Sequence, residues 1–213
     1  MSRILRRLLT VSCTALVTAT LWGAPTAQAA AVQAGLPPIG AEIPMSMLAI
    51  NTPLQIRNSL VTVDFRGGIK VRVEVNPDDP NNSVRLRVVG FKMSAELPGG
   101  DGARQGGTIT IEQNDVDVDP QSLLRLAQRF PPKYEQIMVL SFTMTIDQPE
   151  QDRLTEPLML TTKDPAKLIG NLTRFPPKGD LYQLQNPVDL IDLENPDTVI
   201  ATIQKFPVKV GGL

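Results

Sequence analysis

Alternation of apolar and polar residues runs through most of the chain and predicts β-strands. In the stretch 138–146 every second residue is apolar, which is the pattern of a strand with one buried face, since successive side chains point to opposite sides. The stretch 84–97 alternates in the same way but changes phase beside Gly90. A change of phase by one residue predicts a β-bulge within a long strand.

A hairpin is predicted over residues 59–75. Its apolar residues alternate with polar ones on both sides of Gly67-Gly68, and a glycine pair permits the positive dihedral angles of a tight turn. Residues 76–82 are rich in Pro, Asp and Asn, which is turn chemistry, and the five glycines within 98–107 predict a loop inside the same domain.

A fifteen-residue phrase occurs three times without a gap, at 119–133, 164–178 and 195–209. Each copy begins with Asp or Asn followed by Pro, continues with an apolar ladder, and ends in a basic residue, Phe, Pro, one further residue and Lys. An internal repeat of this kind indicates that one small structural unit is reused, with each copy burying its apolar face against its neighbours.

The repeat supports two interpretations. In the first two copies Asp119 and Asp164 can cap a helix whose first residue is Pro, and apolar residues at i, i+1, i+4 and i+7 form one helical face. The third copy contains Val199 and Ile200 among threonines, and such branched residues favour a strand. The Phe of each copy is expected to plug the core and the following Pro to stop the element, although exposed contact loops are the alternative.

These patterns predict a mainly β protein: one antiparallel β-sandwich-like domain with a few short helices from the threefold repeat. The domain is expected to occupy residues 44–213, after a flexible, Ala-, Gly- and Pro-rich arm at 30–43.

Residues 1–29 read as a secretory signal peptide of a bacterial exported protein. Arg3, Arg6 and Arg7 precede an uncharged apolar stretch, and Ala27–Ala29 fits a small-x-small cleavage site. An uncleaved anchor is the alternative, and the adjacent arginines leave both the general secretory and the twin-arginine export routes open. We expect a mature protein that does not span the membrane and lies in the extracellular space or the cell envelope.

Composition removes several classes of function. The chain has no histidine, and its single cysteine, Cys13, lies within the signal peptide. Nucleophile pairs that need His, zinc sites with His ligands and disulfides in the mature chain are therefore excluded. A net charge of −1 gives no reason to expect a nucleic-acid partner.

The acidic residues offer two minor possibilities. Asp115, Asp117 and Asp119 would share one face of a strand and could supply oxygen ligands to calcium, although a solvated face explains them as well. Carboxylate pairs could hydrolyse glycosides. Trp22 would be lost with the signal peptide, however, which leaves only Tyr134 and Tyr182 as amphipathic rings for stacking against a sugar. The second acidic cluster consists of Asp189, Asp192, Glu194 and Asp197.

Basic residues concentrate between positions 57 and 92. They could bind an anionic envelope polymer or another protein, or they could form an exposed face mixed with acids. The residues are Arg57, Arg66, Lys70, Arg72, Arg85, Arg87 and Lys92.

The sequence thus predicts no catalytic, cofactor-binding or metal-binding residue. It indicates a secreted or envelope-associated, non-catalytic binding or structural protein. One alternative is a carrier of apolar ligands such as lipids, with a cavity lined by Leu, Ile and Met under a curved sheet. A second alternative is a carboxylate-dependent secreted hydrolase.

Overall fold

The computed structural model describes residues 35–98, 106–116, 118, 121–147 and 157–212. The predicted signal peptide lies outside the described residues. Within them the protein consists of thirteen β-strands with turns and contains no helix. The strands are β1 (Glu42–Ile56), β2 (Ser59–Val75), β3 (Ser83–Leu97), β4 (Gly107–Gln113), β5 (Ser122–Gln128), β6 (Lys133–Leu140), β7 (Phe142–Asp147), β8 (Leu158–Thr162), β9 (Ala166–Leu172), β10 (Lys178–Leu184), β11 (Val188–Asp192), β12 (Asn195–Ile203) and β13 (Val208–Gly212).

All strands belong to one antiparallel sheet that closes on itself. β1 pairs with β2 along one edge, and with β13 and β12 along the other. From β12 and β13 the pairing continues through the later strands back to β3, which pairs with β2. The prediction of a mainly β, antiparallel protein is confirmed. The sandwich is not confirmed, because the strands form one continuous sheet.

The closed sheet has two halves that share the long strands β1, β2 and β3. The first half contains β5, β6, β9, β10 and β13, and the second half contains β4, β7, β8, β11 and β12. The chain passes from one half to the other at 114–121, Ser141, 163–165, 185–187 and 204–207. After β3, each crossing of the molecule is therefore made by two successive strands, one in each half. We call the region of the breaks between these strands the waist.

The inward side chains form one apolar core. The predicted buried row over 138–146 is confirmed, because Met138, Leu140, Phe142, Met144 and Ile146 are all buried. The single strand is not, because Ser141 divides the stretch between β6 and β7. The predicted bulge is confirmed too. Lys70 of β2 pairs with Gly90 and Val71 pairs with Val88, so that Val89 has no partner in the ladder.

The helices predicted from the repeat are wrong. The three copies contribute the strands β5, β9 and β12. Their apolar positions suit a strand as well as a helix, and pairing with neighbouring strands outweighs the local preference for a helix. Equivalent residues also face differently: Leu124 is fully buried, whereas its counterparts Ile169 and Ile200 are only partly buried.

The phenylalanines of the three copies differ just as much. Phe206 is 4% exposed and packs edge-on against Phe65, with ring centroids 5.8 Å apart. Phe175 is half-buried, and Phe130 is 90% exposed at the turn between β5 and β6. The expectation that each Phe plugs the core is correct for Phe206 and wrong for Phe130.

The predicted hairpin turn at Gly67-Gly68 is also wrong. β2 continues straight through both glycines, and the turn before it is formed by residues 57 and 58. A Cβ atom on Gly67 would lie 2.0 Å from the carbonyl oxygen of Lys92 on β3. The glycine is required there by the close approach of two backbones rather than by a turn.

Residues ahead of β1 pack against one end of the first half. Leu36 is buried in the core, and the Tyr134 hydroxyl donates to the carbonyl oxygen of Gly35 at 2.5 Å. The part of the chain that the structure describes has no helix long and apolar enough to cross a membrane.

Candidate lateral opening and interior polar groups

The wall of the closed sheet opens between β2 and β3. Their paired residues run from Val75 with Val84 to Arg66 with Ser94 and go no further. Beyond that point β2 continues to Ser59 as a partner of β1, and β3 continues to Leu97 as a partner of β4. The two strands therefore separate within the second half.

A cavity of about 670 Å³ lies at this separation, which we call the lateral opening. Its rim is polar and exposed, whereas the residues at its base are apolar and point into the core. The cavity is therefore lined by both polar and apolar residues. The rim includes Thr62, Asp64, Arg66, Ser94 and Glu96, and the base includes Val63, Ala95 and Leu97.

Gly67 marks the place where the separation begins. The strands are so close there that no side chain fits on Gly67, and one residue further along β2 the ladder ends at Arg66. The opening is thus bounded at one end by the closest approach of the same two strands.

Two charged side chains of the rim, Asp64 and Arg66, differ in their hydrogen bonding. An oxygen of Asp64 accepts the backbone N–H of Asn51 at 2.7 Å. Within the part of the chain that the structure describes, the Arg66 guanidinium has neither an ion pair nor a hydrogen bond.

Five other members of the predicted basic surface are paired with acids. Glu42 contacts both Lys70 and Arg72. The hydrogen bond from Lys70, and after it the one from Arg72, lowers the pKa of Glu42 from 4.5 to about 2. This outer face is therefore mixed in charge. The other pairs are Arg85 with Asp78, Arg87 with Glu74 and Lys92 with Glu112.

Two polar side chains that the sequence analysis did not single out point into the apolar core. Thr52 is fully buried and pairs in the ladder with Val63 of the lateral opening. Gln136 is fully buried as well, and its Oε1 accepts the Tyr182 hydroxyl at 2.6 Å. Among the described residues, Thr52 Oγ1 and Gln136 Nε2 are buried without a hydrogen-bond partner.

Among the described residues, the acidic side chains do not come together as a site. Asp117 and Asp119 lie outside the described residues, and Asp115 is exposed. Asp189 accepts the Thr202 hydroxyl at 2.9 Å, while Asp192 accepts the backbone N–H of Glu194 in the turn after β11. Over the described ranges no cluster of three or more potential metal ligands occurs.

The molecule is thus a closed antiparallel sheet with an apolar interior and a lateral opening. No protein-family model matches the chain, and no curated protein matches it. Its fold is similar to that of DynF, a protein from the dynemicin biosynthesis pathway of Micromonospora chersina, with a TM-score of 0.58 at 20% sequence identity. The similarity covers 90% of this chain and 93% of DynF, so it extends over the whole architecture.

Proposed function

We propose that this is an exported, non-catalytic binding protein that holds a small apolar ligand in the interior of the closed sheet. The observation that carries the proposal is the lateral opening, where polar rim residues and apolar base residues line a cavity between β2 and β3. A closed sheet of this kind, with the chain crossing the molecule eight times, has room for its own side chains or for one small guest.

The composition of the core supports an adaptable interior. Met45, Met47, Met93, Met138 and Met144 are all buried in it. Methionine side chains are unbranched and polarizable, and they repack around guests of irregular shape at small cost.

Export is supported by the amino-terminal sequence alone. The arginines ahead of the apolar stretch and the Ala27–Ala29 site support cleavage and release outside the cytoplasmic membrane. DynF belongs to a biosynthesis pathway according to its description, and at 20% identity it supports the fold of this chain and no particular ligand.

A hydrolase is less well supported. Asp64 and Glu96 line the same cavity, but both are exposed on its rim. A general acid needs a drier environment that keeps its carboxyl group protonated. Binding of an anionic polymer is also less well supported, because neighbouring acids already neutralise much of the basic face.

The proposal is tested by titrating the purified protein, expressed from its full-length sequence, with the neutral fluorescent probe phenylnaphthylamine. We expect saturable binding with a blue-shifted emission. Ser94→Trp places a large ring on the rim without entering the core and should weaken binding at least about tenfold by filling the opening. Val89→Trp, on the same strand but outside the cavity lining, is the matched control and should bind like the wild type.

Absence of saturable binding by the folded wild-type protein would contradict the proposed function. Equal affinities of the wild type and Ser94→Trp would show that the ligand does not pass through or occupy the lateral opening.

A further inference from the structure

We infer that Gln136 determines ligand specificity, and that its side-chain Nε2 donates a hydrogen bond to a neutral acceptor oxygen of the ligand, such as a ketone, ester or ether oxygen. The inference rests on the proposed function, because it needs a guest that extends through the interior from the lateral opening in the second half to Gln136 on β6 in the first half. It adds the chemical class of that guest: an apolar body that carries one uncharged acceptor.

The orientation of the Gln136 amide is fixed by Tyr182. The Tyr182 hydroxyl lies 2.6 Å from Oε1, so the acceptor end of the amide is occupied and the donor end is free. Burial, with a smaller contribution from the Asp180 charge, raises the pKa of Tyr182 well above its ordinary value of 10. The phenol therefore stays protonated and acts as the donor in this pair.

The contact depends on a glycine in the strand between the two residues. Gly170 of β9 pairs with Gln136 on one side and with Tyr182 on the other. A Cβ atom on Gly170 would lie 2.5 Å from the Tyr182 ring. The ring therefore lies across β9 in the space that a side chain would fill, and reaches Gln136 two strands away.

The donor end of the amide has no partner within the described part of the chain. A buried amide N–H₂ without an acceptor destabilises a protein, and a Leu or Met at this position would avoid that cost. The neighbouring inward positions of β6 hold Tyr134 and Met138, so Gln136 stands out as the polar member of an otherwise mostly apolar row. A guest with an acceptor oxygen satisfies the amide.

The absence of buried charge decides the kind of acceptor. None of the buried side chains of the described residues is charged. A carboxylate in this interior would have no cation to compensate for its lost hydration, which is a large penalty. A neutral oxygen needs only one donor, and Gln136 supplies it.

The test uses two ligands of the same shape: methyl nonyl ketone, and the alkene in which a methylidene group replaces the carbonyl oxygen. Each displaces phenylnaphthylamine from the full chain, and the ratio of the two dissociation constants is measured. In Gln136→Leu we expect the preference for the ketone, relative to the alkene, to fall about fivefold to tenfold, the effect of one hydrogen bond. Gln183→Leu, an exposed glutamine on β10, should leave the ratio unchanged.

A second measurement avoids dependence on a variant that could fail to fold. The side-chain amide ¹⁵N–¹H signals of Gln136 in the wild-type protein should shift on addition of the ketone and much less on addition of the alkene. Equal shifts, or a ratio that Gln136→Leu leaves unchanged, would mean that ordered water satisfies the amide and would overturn the inference. Failure of both ligands and the probe to bind would instead overturn the proposed function.

Discussion

The same two strands, β2 and β3, form a tightly closed wall in one part of the molecule and an open wall in the other. From Arg66 to Val75 β2 is hydrogen-bonded to β3, and at Gly67 their backbones lie too close for any side chain. Beyond Arg66 the strands separate around a cavity of about 670 Å³. The gap between β2 and β3 therefore begins beside their closest approach, at Gly67, and not at the end of either strand.

The charges on the outer face follow the same division. In the closed part, Lys70 and Arg72 share Glu42. At the open part, the Arg66 side chain has no partner among the described residues. These pairs join β2 to β1 rather than to β3, so they lie beside the closed wall, whereas the Arg66 charge at the rim of the opening is unpaired among the described residues.

The most severe way to break the closed part is Gly67→Ala. The added Cβ atom would collide with the Lys92 carbonyl, which is backbone and cannot rotate away. We expect the free energy of unfolding to fall by more than about 4 kcal/mol, a range that only severe mechanisms reach. Chemical denaturation followed by circular dichroism measures the change.

Gly90→Ala provides the control for that substitution. Its Cβ atom would lie 3.9 Å from the Lys70 side chain, an ordinary contact. The stability should change by less than about 1 kcal/mol. Similar losses in the two alanine variants would show that the close approach of the backbones at Gly67 does not exclude a side chain there.

A smaller loss is expected where the open and closed parts meet in the core. Phe206→Ala removes the ring that packs on Phe65 of β2, and should cost about 3 kcal/mol. The value lies at the low end for a phenylalanine because a cavity of about 340 Å³ borders Phe206 at the waist and lets the site relax. Thermal and urea denaturation would measure it.

Phe130→Ala is the matched variant from the first copy of the repeat. Because Phe130 is 90% exposed, its removal should alter stability by less than about 0.5 kcal/mol. Equal destabilisation by the two substitutions would contradict the difference between the copies.

The smallest effect concerns the ion pairs of the closed part. The pKa of Glu42 is lowered to about 2 by Lys70 and Arg72, so its ionised form stabilises the fold above the unfolded-state pKa of about 4.5, and that contribution is lost as the pH falls towards 2. Glu42→Gln should therefore be less stable than the wild type at neutral pH, with the difference vanishing near pH 2. Added salt should also reduce it.

Arg66→Gln completes this comparison on the open side. Removal of a charge that contacts no acid should give no stability difference that grows between pH 2 and pH 5. Urea midpoints for both variants across that range would decide, and a pH-dependent loss in Arg66→Gln would place an ion pair at the rim.

The alternation of apolar and polar residues predicts which positions are buried and where one strand bulges. It predicted the long strand around Gly90 with its bulge, and the buried row from Met138 to Ile146. The predicted turn at Gly67-Gly68 is wrong because a glycine pair suits a turn and a close backbone approach equally well. Only the position of β3 distinguishes the two cases. The helices predicted from the repeats are wrong because strand pairing with distant residues overrides a local helical pattern.

The site was less accessible to sequence reasoning. The lateral opening depends on where the ladder between β2 and β3 stops, and no residue type in the sequence indicates that point. Gln136 and Thr52 did leave a signal, since each is a polar residue at an inward position of its strand. The sequence marks Tyr182 only as an aromatic ring, because its hydrogen bond to Gln136 depends on β9, the strand that lies between them.

The pairing of β1 with β13 also determines when the closed sheet can be completed. Met45 of β1 is opposite Gly212, and Ala49 is opposite Val208, so the first strand lacks one of its neighbours until the last strand has been synthesised. Contacts between such distant parts of a chain form slowly, because a long loop must close before they contribute. The ring therefore stays open during synthesis at least until β13 has been made and can fold back onto β1.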